Sequence, residues 1–253
     1  MITKEEIQRF SQKYKINQTV IFREYLQLWF LSQLYTTGGS ERVFFKGGTA
    51  IHFLLKSFRF SEDLDFTVQF EVNEFEKLIS RIFKKTLQIE GLSIKEKKTI
   101  TGKSFILVYA GELLEFKVFV SLDFSFREKI LSPQKSIFTT DYPIVFTDFV
   151  HHLSFEEILA EKIRAILTRK KGRDIFDIWF LLNKGINFDF SLIEEKMSYY
   201  PKISWSKDLT IKTIDGFPLK EFEKDLRPFL PLPERMRIKN LYELIKKTIF
   251  GKI

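Results

Sequence analysis

The segment KGGTAIHFLLKSFRFSEDLDFTV, Lys46–Val68, constrains the fold more than any other part of the chain. It joins a glycine pair, Gly47-Gly48, to an apolar run, and then to an alternating run that contains Asp63 and Asp65. Glycines suit a tight turn before a helix, whereas an alternation of period two indicates a strand. The segment therefore predicts a turn, a helix and a strand, with acidic side chains on the strand.

The chain before and after this segment also alternates between helical and strand patterns. Apolar residues recur near a 3.6-residue period between Ile2 and Tyr35, with Asn17 as a helix cap. The other predicted elements are a strand at Val43–Phe45, a helix at Ala50–Leu55 that begins at the glycines, a strand at Leu64–Val68, a helix at Glu71–Phe83, and strands at Ser93–Lys98, Phe105–Ala110 and Phe116–Asp123. Residues Pro133 to Pro143 are expected to form an irregular linker.

From Ser154 onward the pattern is almost entirely helical. Ser154 and Glu157 match a capping box, which predicts that a helix begins there. We therefore expect an α+β fold, in which residues 1–150 form a mixed β-sheet with helices and residues 151–253 form a C-terminal helical domain. Breaks between its helices are predicted at Gly172, Gly185, Pro201, Pro228, Pro231 and Pro233.

Composition excludes several classes of function. The 253 residues include no cysteine, which rules out disulfide scaffolds, thiolate metal sites and cysteine nucleophiles, and the three histidines are too few for a zinc site. A net charge of +8 is compatible with a polyanionic partner. Because no signal peptide and no apolar run near the roughly 20 residues of a membrane span is visible, a cytoplasmic protein is expected.

Three aspartates are placed to bind a divalent metal. Asp63 and Asp65 are two positions apart on a strand and so share a face. Adjacent carboxylates repel unless a cation lies between them, and Mg²⁺ prefers oxygen ligands. A later strand, FKVFVSLDFSF, carries Asp123 near its C-terminal end. We expect these three residues to bind two Mg²⁺ ions, with Mn²⁺ as an alternative; a solvated strand edge with harmless acids is the other interpretation.

The glycine pair predicts a phosphate-binding helix start. Backbone N–H groups at Gly47 and Gly48 would be open to a phosphate, Thr49 could add a hydroxyl, and Lys46 could reach the same anion. The alternative is a turn that needs glycine for its backbone angles alone. Phosphate-binding glycines one helix away from metal-binding aspartates are what binding a nucleoside triphosphate with Mg²⁺ requires.

A second block of sequence, LSFEEILAEKIRAILTRKKGRDIFDIWFLL, predicts two helices with a basic run between them. Lys162 borders the apolar stripe of the first helix, where it could extend to solvent or contact triphosphate oxygens. Glu161 is expected at the surface or against Lys162. The basic run is either a solvated helix end or a groove for phosphates, and it comprises Lys162, Arg164, Arg169, Lys170, Lys171 and Arg173.

Two aspartates of this block lie three positions apart. Asp174 and Asp177 therefore share one face of the second helix. Either Arg173 or Lys162 could pair with them and fix the two helices against each other.

In this order, the glycine pair, the Asp-x-Asp strand and the later strand aspartate resemble the polymerase β-like nucleotidyltransferase superfamily. The fuller wording KGGTAIHFLL…RFSEDLDF, with the later A-E-K…R…R-D-x-x-D, is similar to the AbiEii/AbiGii-type toxin family of abortive-infection and type IV toxin–antitoxin systems. The resemblance covers about Lys46–Leu182 and implies a nucleotidyltransferase fold. It implies activity roles for Lys162 and Asp177, a nucleotide-binding or structural role for Asp174, and a phosphate contact or a capping role for Ser61.

The resemblance also implies a reaction and partners. The expected enzyme is a metal-dependent toxin that transfers a nucleoside monophosphate from a nucleoside triphosphate to RNA, at the 3′ end of tRNA. Its expected partner is a separately encoded antitoxin that forms no stable complex with it, in phage defence. Two alternatives stay open: the same chemistry on a protein or aminoglycoside-like hydroxyl, and a non-catalytic nucleotide- or RNA-binding protein. A second basic stretch, 224–253, favours a long anion such as RNA.

Overall fold

The computed structural model describes residues 1–99, 101–200 and 203–253, and it divides into two compact units. The first unit comprises Met1–Ala50 and Phe60–His152, and the second comprises Ile51–Arg59 and Leu153–Ile253. The sequence boundary near residue 150 did not anticipate that Ile51–Arg59 groups with the C-terminal part. The assignment of residues 1–150 and 151–253 to two domains stays a prediction.

The first unit contains the strands and the N-terminal helices. Asn17 caps the second helix, as predicted, because its side chain accepts a hydrogen bond of 2.8 Å from the N–H of Thr19. The helices are α1 (Lys4–Tyr14), α2 (Gln18–Tyr35), α3 (Gly47–Leu55), which continues into the second unit, and α4 (Val72–Thr86). The strands are β1 (Val43–Lys46), β2 (Asp63–Val68), β3 (Leu92–Lys97), β4 (Lys103–Tyr109), β5 (Val118–Ser125), β6 (Pro133–Ser136) and β7 (Val150–Leu153), whose last residue is counted with the second unit.

The strands of the described residues form one mixed sheet in the order β3-β4-β5-β2-β1-β7-β6. Strand β2 is parallel to β5 and antiparallel to β1, whereas β4 is antiparallel to both β3 and β5. Helices α2 and α4 pack together, and Phe75 of α4 contacts Phe124 of the sheet, with ring centroids 4.8 Å apart. Phe66 stacks on the same Phe124 at 4.8 Å, so aromatic side chains fill this face. The mixed sheet with helices confirms the predicted fold class.

The expected irregular linker is wrong in part, because it contains strand β6, and strand β7 follows it. Both strands are four residues long, which is too short for an alternating pattern to stand out. Strand β6 begins at Pro133 and lies at the edge of the sheet, where a residue without an N–H is tolerated. Tyr35 of α2 donates a 2.7 Å hydrogen bond to the carbonyl of His151 in β7, a contact that no local pattern announces.

The described part of the second unit is helical, as predicted. Ser154 accepts a 3.1 Å hydrogen bond from the N–H of Glu157 and so caps the first of these helices. Gly172 begins a helix, Gly185 follows its end, and the predicted break at Pro201 lies outside the described residues. The helices are α5 (Phe155–Thr168), α6 (Gly172–Asn183), α7 (Phe190–Ser198), α8 (Lys207–Asp215), α9 (Leu219–Leu226), α10 (Leu232–Met236) and α11 (Ile238–Phe250). None of the described helices combines the length and hydropathy that crossing a bilayer requires.

Candidate active site

Four polar side chains of the first unit form a row across the sheet. Strand pairing sets Lys46 of β1 opposite Asp65 of β2, and Asp65 opposite Asp123 of β5. Asp123 in turn lies opposite Ser104 of β4. Opposite residues on neighbouring strands point to the same face, at a spacing of about 5 Å. The register therefore brings Lys46, Asp65 and Asp123 together, three residues that the sequence singled out separately.

Ser104 is the member of this row that the sequence did not reveal. Its hydroxyl donates to Oδ1 of Asp123 over 2.5 Å, and its side chain is buried. That hydrogen bond fixes the orientation of the Asp123 carboxylate. Only the register of β4 against β5 could have identified Ser104, because no motif includes it.

Asp63 lies on the same face of β2, one pleat before Asp65, and opposite Ser121 of β5. The hydroxyl of Thr49, in the first turn of α3, donates to the backbone carbonyl of Asp63. Thr49 therefore ties the start of α3 to the acidic strand, although the contact uses the backbone of Asp63 and leaves its carboxylate to other partners.

The backbone where β1 meets α3 explains the first glycine. Gly47 has a φ of +79°, and a Cβ at this position would collide with the Asp65 carboxylate. Any other residue would therefore be strained and would displace Asp65. Gly48 follows in the first turn of α3. Gly47 is therefore needed for its backbone angles, as the turn interpretation had it. It also lies directly beside the acidic strand.

Helix α2 holds the residues that precede β2. Gln27 donates a 3.2 Å hydrogen bond to the carbonyl of Ser61, and Arg23 lies 3.3 Å from Glu62. Glu62 is therefore paired with an arginine of the first unit. A phosphate contact by the Ser61 hydroxyl stays a prediction.

The donor set of the row has the chemistry that Mg²⁺ prefers. Asp65 and Asp123 face each other on parallel strands, and their short side chains can rotate to share a hard cation between them. With the side chains in their present positions, no group of three His, Cys, Asp or Glu among residues 1–99, 101–200 and 203–253 could hold a metal ion. The register therefore fits one carboxylate pair, and the two-ion site of Asp63, Asp65 and Asp123 stays a prediction.

A buried ion network lies in the second unit, formed by Arg59, Lys162, Arg169, Asp174 and Asp177. Arg59 donates to both oxygens of Asp177, with Nη2 at 2.7 and 2.9 Å and Nε at 2.9 Å. The ammonium of Lys162 lies 2.8 Å from Asp177 and 3.1 Å from Asp174. Arg169 donates to both oxygens of Asp174 at 2.8 Å. Both aspartates are 0% exposed, whereas the Arg169 side chain is 60% exposed, so this arrangement, which we call the Arg59–Asp177 network, extends from the core to the surface.

The charges of the network determine the pKa values within it. Burial lowers the pKa of Lys162, but the carboxylates of Asp177 and Asp174 outweigh burial, so that the pKa is raised. Burial likewise raises the pKa of Asp174, but Lys162 and Arg169 outweigh it and hold that pKa at about 2. Each aspartate also has an arginine of its own. Lys162 is therefore one of two counter-ions for each carboxylate.

Sequence reasoning placed some members of this network correctly and missed others. Lys162 pairs with both aspartates, as one of the two expectations had it. The other candidate, Arg173, lies over the ring of Phe229 at 5.0 Å, and Arg169 takes its expected place. Arg59 was missed as an ion-pair partner, although it is the arginine that opens the R-x-S-x-D-x-D pattern at residues 59–65.

The expectation for Glu161 was wrong. Its side chain is buried and accepts a 3.1 Å hydrogen bond from Lys196 of α7, and Glu157, one turn earlier, lies 2.7 Å from the same ammonium. Two carboxylates at positions i and i+4 on α5 can thus share one lysine of α7. The pattern within α5 cannot show this, because Lys196 lies 35 residues away from Glu161.

Solved structures share this fold. JHP933 from Helicobacter pylori has a TM-score of 0.55 and 22% identity, over 93% of this chain and 95% of that one. Another solved structure, described as a nucleotidyltransferase from H. pylori, has a TM-score of 0.56 and 21% identity, over 93% of this chain and 98% of that one. The Mycobacterium tuberculosis nucleotidyltransferase toxin MenT4 has a TM-score of 0.61 and 16% identity, over 97% and 99%. At these identities the likeness shows the fold alone. No curated protein sequence matched the chain.

A family model, unlike the solved structures, identifies the family of the chain. It is described as the nucleotidyl transferase AbiEii toxin of type IV toxin–antitoxin systems, and it matches residues 29–243. That range includes the whole polar row and the whole Arg59–Asp177 network. Because the match spans most of the sequence, the chain belongs to the AbiEii nucleotidyl transferase toxin family and is a nucleotidyltransferase.

Proposed function

We propose that the protein transfers a nucleoside monophosphate from a nucleoside triphosphate to an RNA hydroxyl, at the 3′ end of tRNA, and releases pyrophosphate. The observation that supports this most directly is the row in which Lys46, Asp65 and Asp123 share one face of the sheet beside the start of α3. That row combines a cation, a carboxylate pair and a helix N-terminus.

In this proposal, Asp63, Asp65 and Asp123 would hold Mg²⁺. The metal would neutralise triphosphate charge and activate the attacking hydroxyl. Ser104 orients the carboxylate of Asp123 through its 2.5 Å hydrogen bond, which prepares that ligand before the metal binds.

The start of α3 would bind the phosphates. Gly47 and Gly48 carry no side chain that would block their backbone N–H groups, and a helix N-terminus favours an anion. Lys46 adds a positive charge opposite Asp65. We assign Ser61 and Thr49 to the same phosphate group, although Thr49 also uses its hydroxyl to bind the Asp63 carbonyl.

Lys162 would act on the triphosphate oxygens as a point charge. The Arg59–Asp177 network supports this role, because each aspartate would still have an arginine as its counter-ion if Lys162 bound the triphosphate. Asp177 and Asp174 would then be positioning residues, because both hold the Lys162 ammonium at hydrogen-bonding distance. A separately encoded antitoxin would be the regulatory partner, as the family description implies.

The test is to incubate total tRNA with each labelled nucleoside triphosphate in turn, with and without Mg²⁺. We expect label at the RNA 3′ end in the presence of Mg²⁺, and none with Asp65→Asn. Label on protein and none on RNA would move the acceptor to a protein hydroxyl. No pyrophosphate release with any acceptor would overturn the catalytic proposal.

A further inference from the structure

The basic run, which extends from Lys162 in α5 to Arg173 in α6, mostly forms contacts within the protein. Two of its six cations bind the buried aspartates of the Arg59–Asp177 network. Arg164 lies over the ring of Tyr200 at 4.8 Å, and Arg173 lies over that of Phe229 at 5.0 Å. Lys170 and Lys171 are left, and both are exposed. Of the six cations that the sequence proposed as a phosphate groove, these two lysines therefore remain as candidates.

Both lysines line a cavity of about 560 Å³ within the second unit. Lys212 of α8 brings a third ammonium to the cavity, and Leu209 and Phe217 give it an apolar surface. Its volume lies within the range of about 300–1,000 Å³ that is usual for small-ligand pockets. A cavity with several cations and an apolar wall suits an anion that carries a flat, apolar group.

The acidic residues of the cavity compensate only one of its three ammonium groups, because Asp225 lies 3.9 Å from Lys171. Asp225 accepts a 2.8 Å hydrogen bond from the first backbone N–H of α6, and Glu221 lies 3.7 Å from Lys224. Throughout the described ranges, no carboxylate forms an ion pair with Lys170 or Lys212. Two ammonium groups are thus available to a ligand.

The loop that carries the lysines is held in place. A Cβ on Gly172 would lie 2.9 Å from the backbone of Phe222, so α6 begins in direct contact with α9. Lys170 has a φ of +50°, in the left-handed region that a non-glycine residue rarely adopts. The structure maintains this strained conformation at the edge of the cavity. Strain of this kind often marks a functional position.

We infer that this cavity, the Lys170–Lys212 cavity, binds the backbone of the single-stranded RNA acceptor, with phosphates on Lys170 and Lys212 and a base against Leu209 and Phe217. Stacking on an apolar or aromatic surface beside a basic groove is how proteins bind single strands without reading their sequence. The inference rests on the proposed function, because it assigns a binding surface to the RNA acceptor of that reaction.

The test compares Lys170→Ala/Lys212→Ala with wild type in two assays. The first is the binding of a fluorescent single-stranded RNA as a function of salt, and the second is the KM for RNA and for the nucleoside triphosphate. Each lost phosphate contact lowers the salt slope by about 0.7, so the pair should lower it by about 1.4. At 0.1 M salt this corresponds to binding that is about 25-fold weaker. The KM for RNA should rise, and the KM for the triphosphate should not change.

Two matched variants control for charge. Lys95→Ala/Lys97→Ala on the edge strand β3 removes the same charge from the first unit and should leave RNA binding within about twofold of wild type, because neither lysine lines the cavity. Lys170→Arg/Lys212→Arg keeps the charge and should bind RNA as wild type does. Circular dichroism of each variant confirms that it is folded.

The outcomes separate the inference from the proposed function. If wild type labels RNA and Lys170→Ala/Lys212→Ala binds RNA with the wild-type affinity and salt slope, the cavity inference is overturned. An equal loss in Lys95→Ala/Lys97→Ala would also overturn it, because the effect would then be one of net charge alone. If wild type releases pyrophosphate but labels no RNA, the RNA acceptor is wrong and the cavity loses its assigned ligand.

Discussion

Removing the Asp177 carboxylate should unfold the second unit far more readily than removing the Lys162 ammonium. In Asp177→Ala, the guanidinium of Arg59, only 2% exposed, and the ammonium of Lys162 lose their nearest carboxylate. Breaking a buried ion pair from one side costs about 3–5 kcal/mol, because the remaining charge stays buried. For a chain of this size, that corresponds to a fall in Tm of roughly 6–20 °C.

Lys162→Met should cost less, about 1.5–3 kcal/mol for the lost charged hydrogen bonds, because Asp177 keeps Arg59 and Asp174 keeps Arg169. Methionine also retains the apolar length of the lysine side chain. The same substitution should lower nucleotidyl transfer strongly if the ammonium acts on the triphosphate. Lys162→Met therefore separates activity from stability, whereas Asp177→Ala loses both.

The measurement is urea unfolding followed by circular dichroism, together with pyrophosphate release under saturating nucleoside triphosphate. Asp177→Asn serves as a control that keeps the shape of the side chain and removes its charge. If Lys162→Met destabilises the protein as much as Asp177→Ala, or turns over at the wild-type rate, Lys162 is a structural residue and the reasoning is refuted.

Asp63→Ala or Asp65→Ala should abolish Mg²⁺-dependent pyrophosphate release and leave thermal unfolding without metal nearly unchanged; full activity in both variants would contradict the metal-binding assignment. Gly47→Ala should lower pyrophosphate release because its methyl group displaces the Asp65 carboxylate, whereas Gly185→Ala, with φ +82° and open space, should cost about 1 kcal/mol of stability and no activity; equal turnover would argue against the predicted displacement. The pKa of Asp174 falls from 3.8 to about 2 on folding, which supplies about 2 kcal/mol of stability above pH 3.8 that is lost as the pH falls towards 2. Acid titration of unfolding should show this loss in wild type and not in Asp174→Asn.

Local patterns determined the fold class because they depend on neighbours in the chain. Strict alternation in Val118–Ser125 indicates a half-buried strand, and Asn17 and Ser154 mark helix starts through hydrogen bonds that span two or three residues. Strands β6 and β7 escaped prediction because four residues carry too little of an alternating pattern. They form strands because they pair with neighbouring strands of the sheet.

Local patterns likewise predicted some features of the candidate site, and strand pairing decided the others. That Asp63 and Asp65 share a face follows from the period of a strand, and the glycine pair before a helix follows from backbone geometry. That Asp65 lies opposite Asp123 depends on a parallel pairing of strands far apart in the chain. No local rule gives that register, because a shift of one residue would turn Asp123 to the other face.

The sequence by itself determined which residue types carry the chemistry, in what order, and on which helices and strands. Only the tertiary structure decided which of them meet. Arg59 reaches Asp177 across 118 residues of chain, and the two bind because a buried charge without a counter-ion is costly. Lys170 becomes available to a ligand for the complementary reason, since the fold uses the other cations of the same run in ion pairs and ring contacts. Pairing over such distances is decided by the packing of the whole unit, which no window of sequence contains.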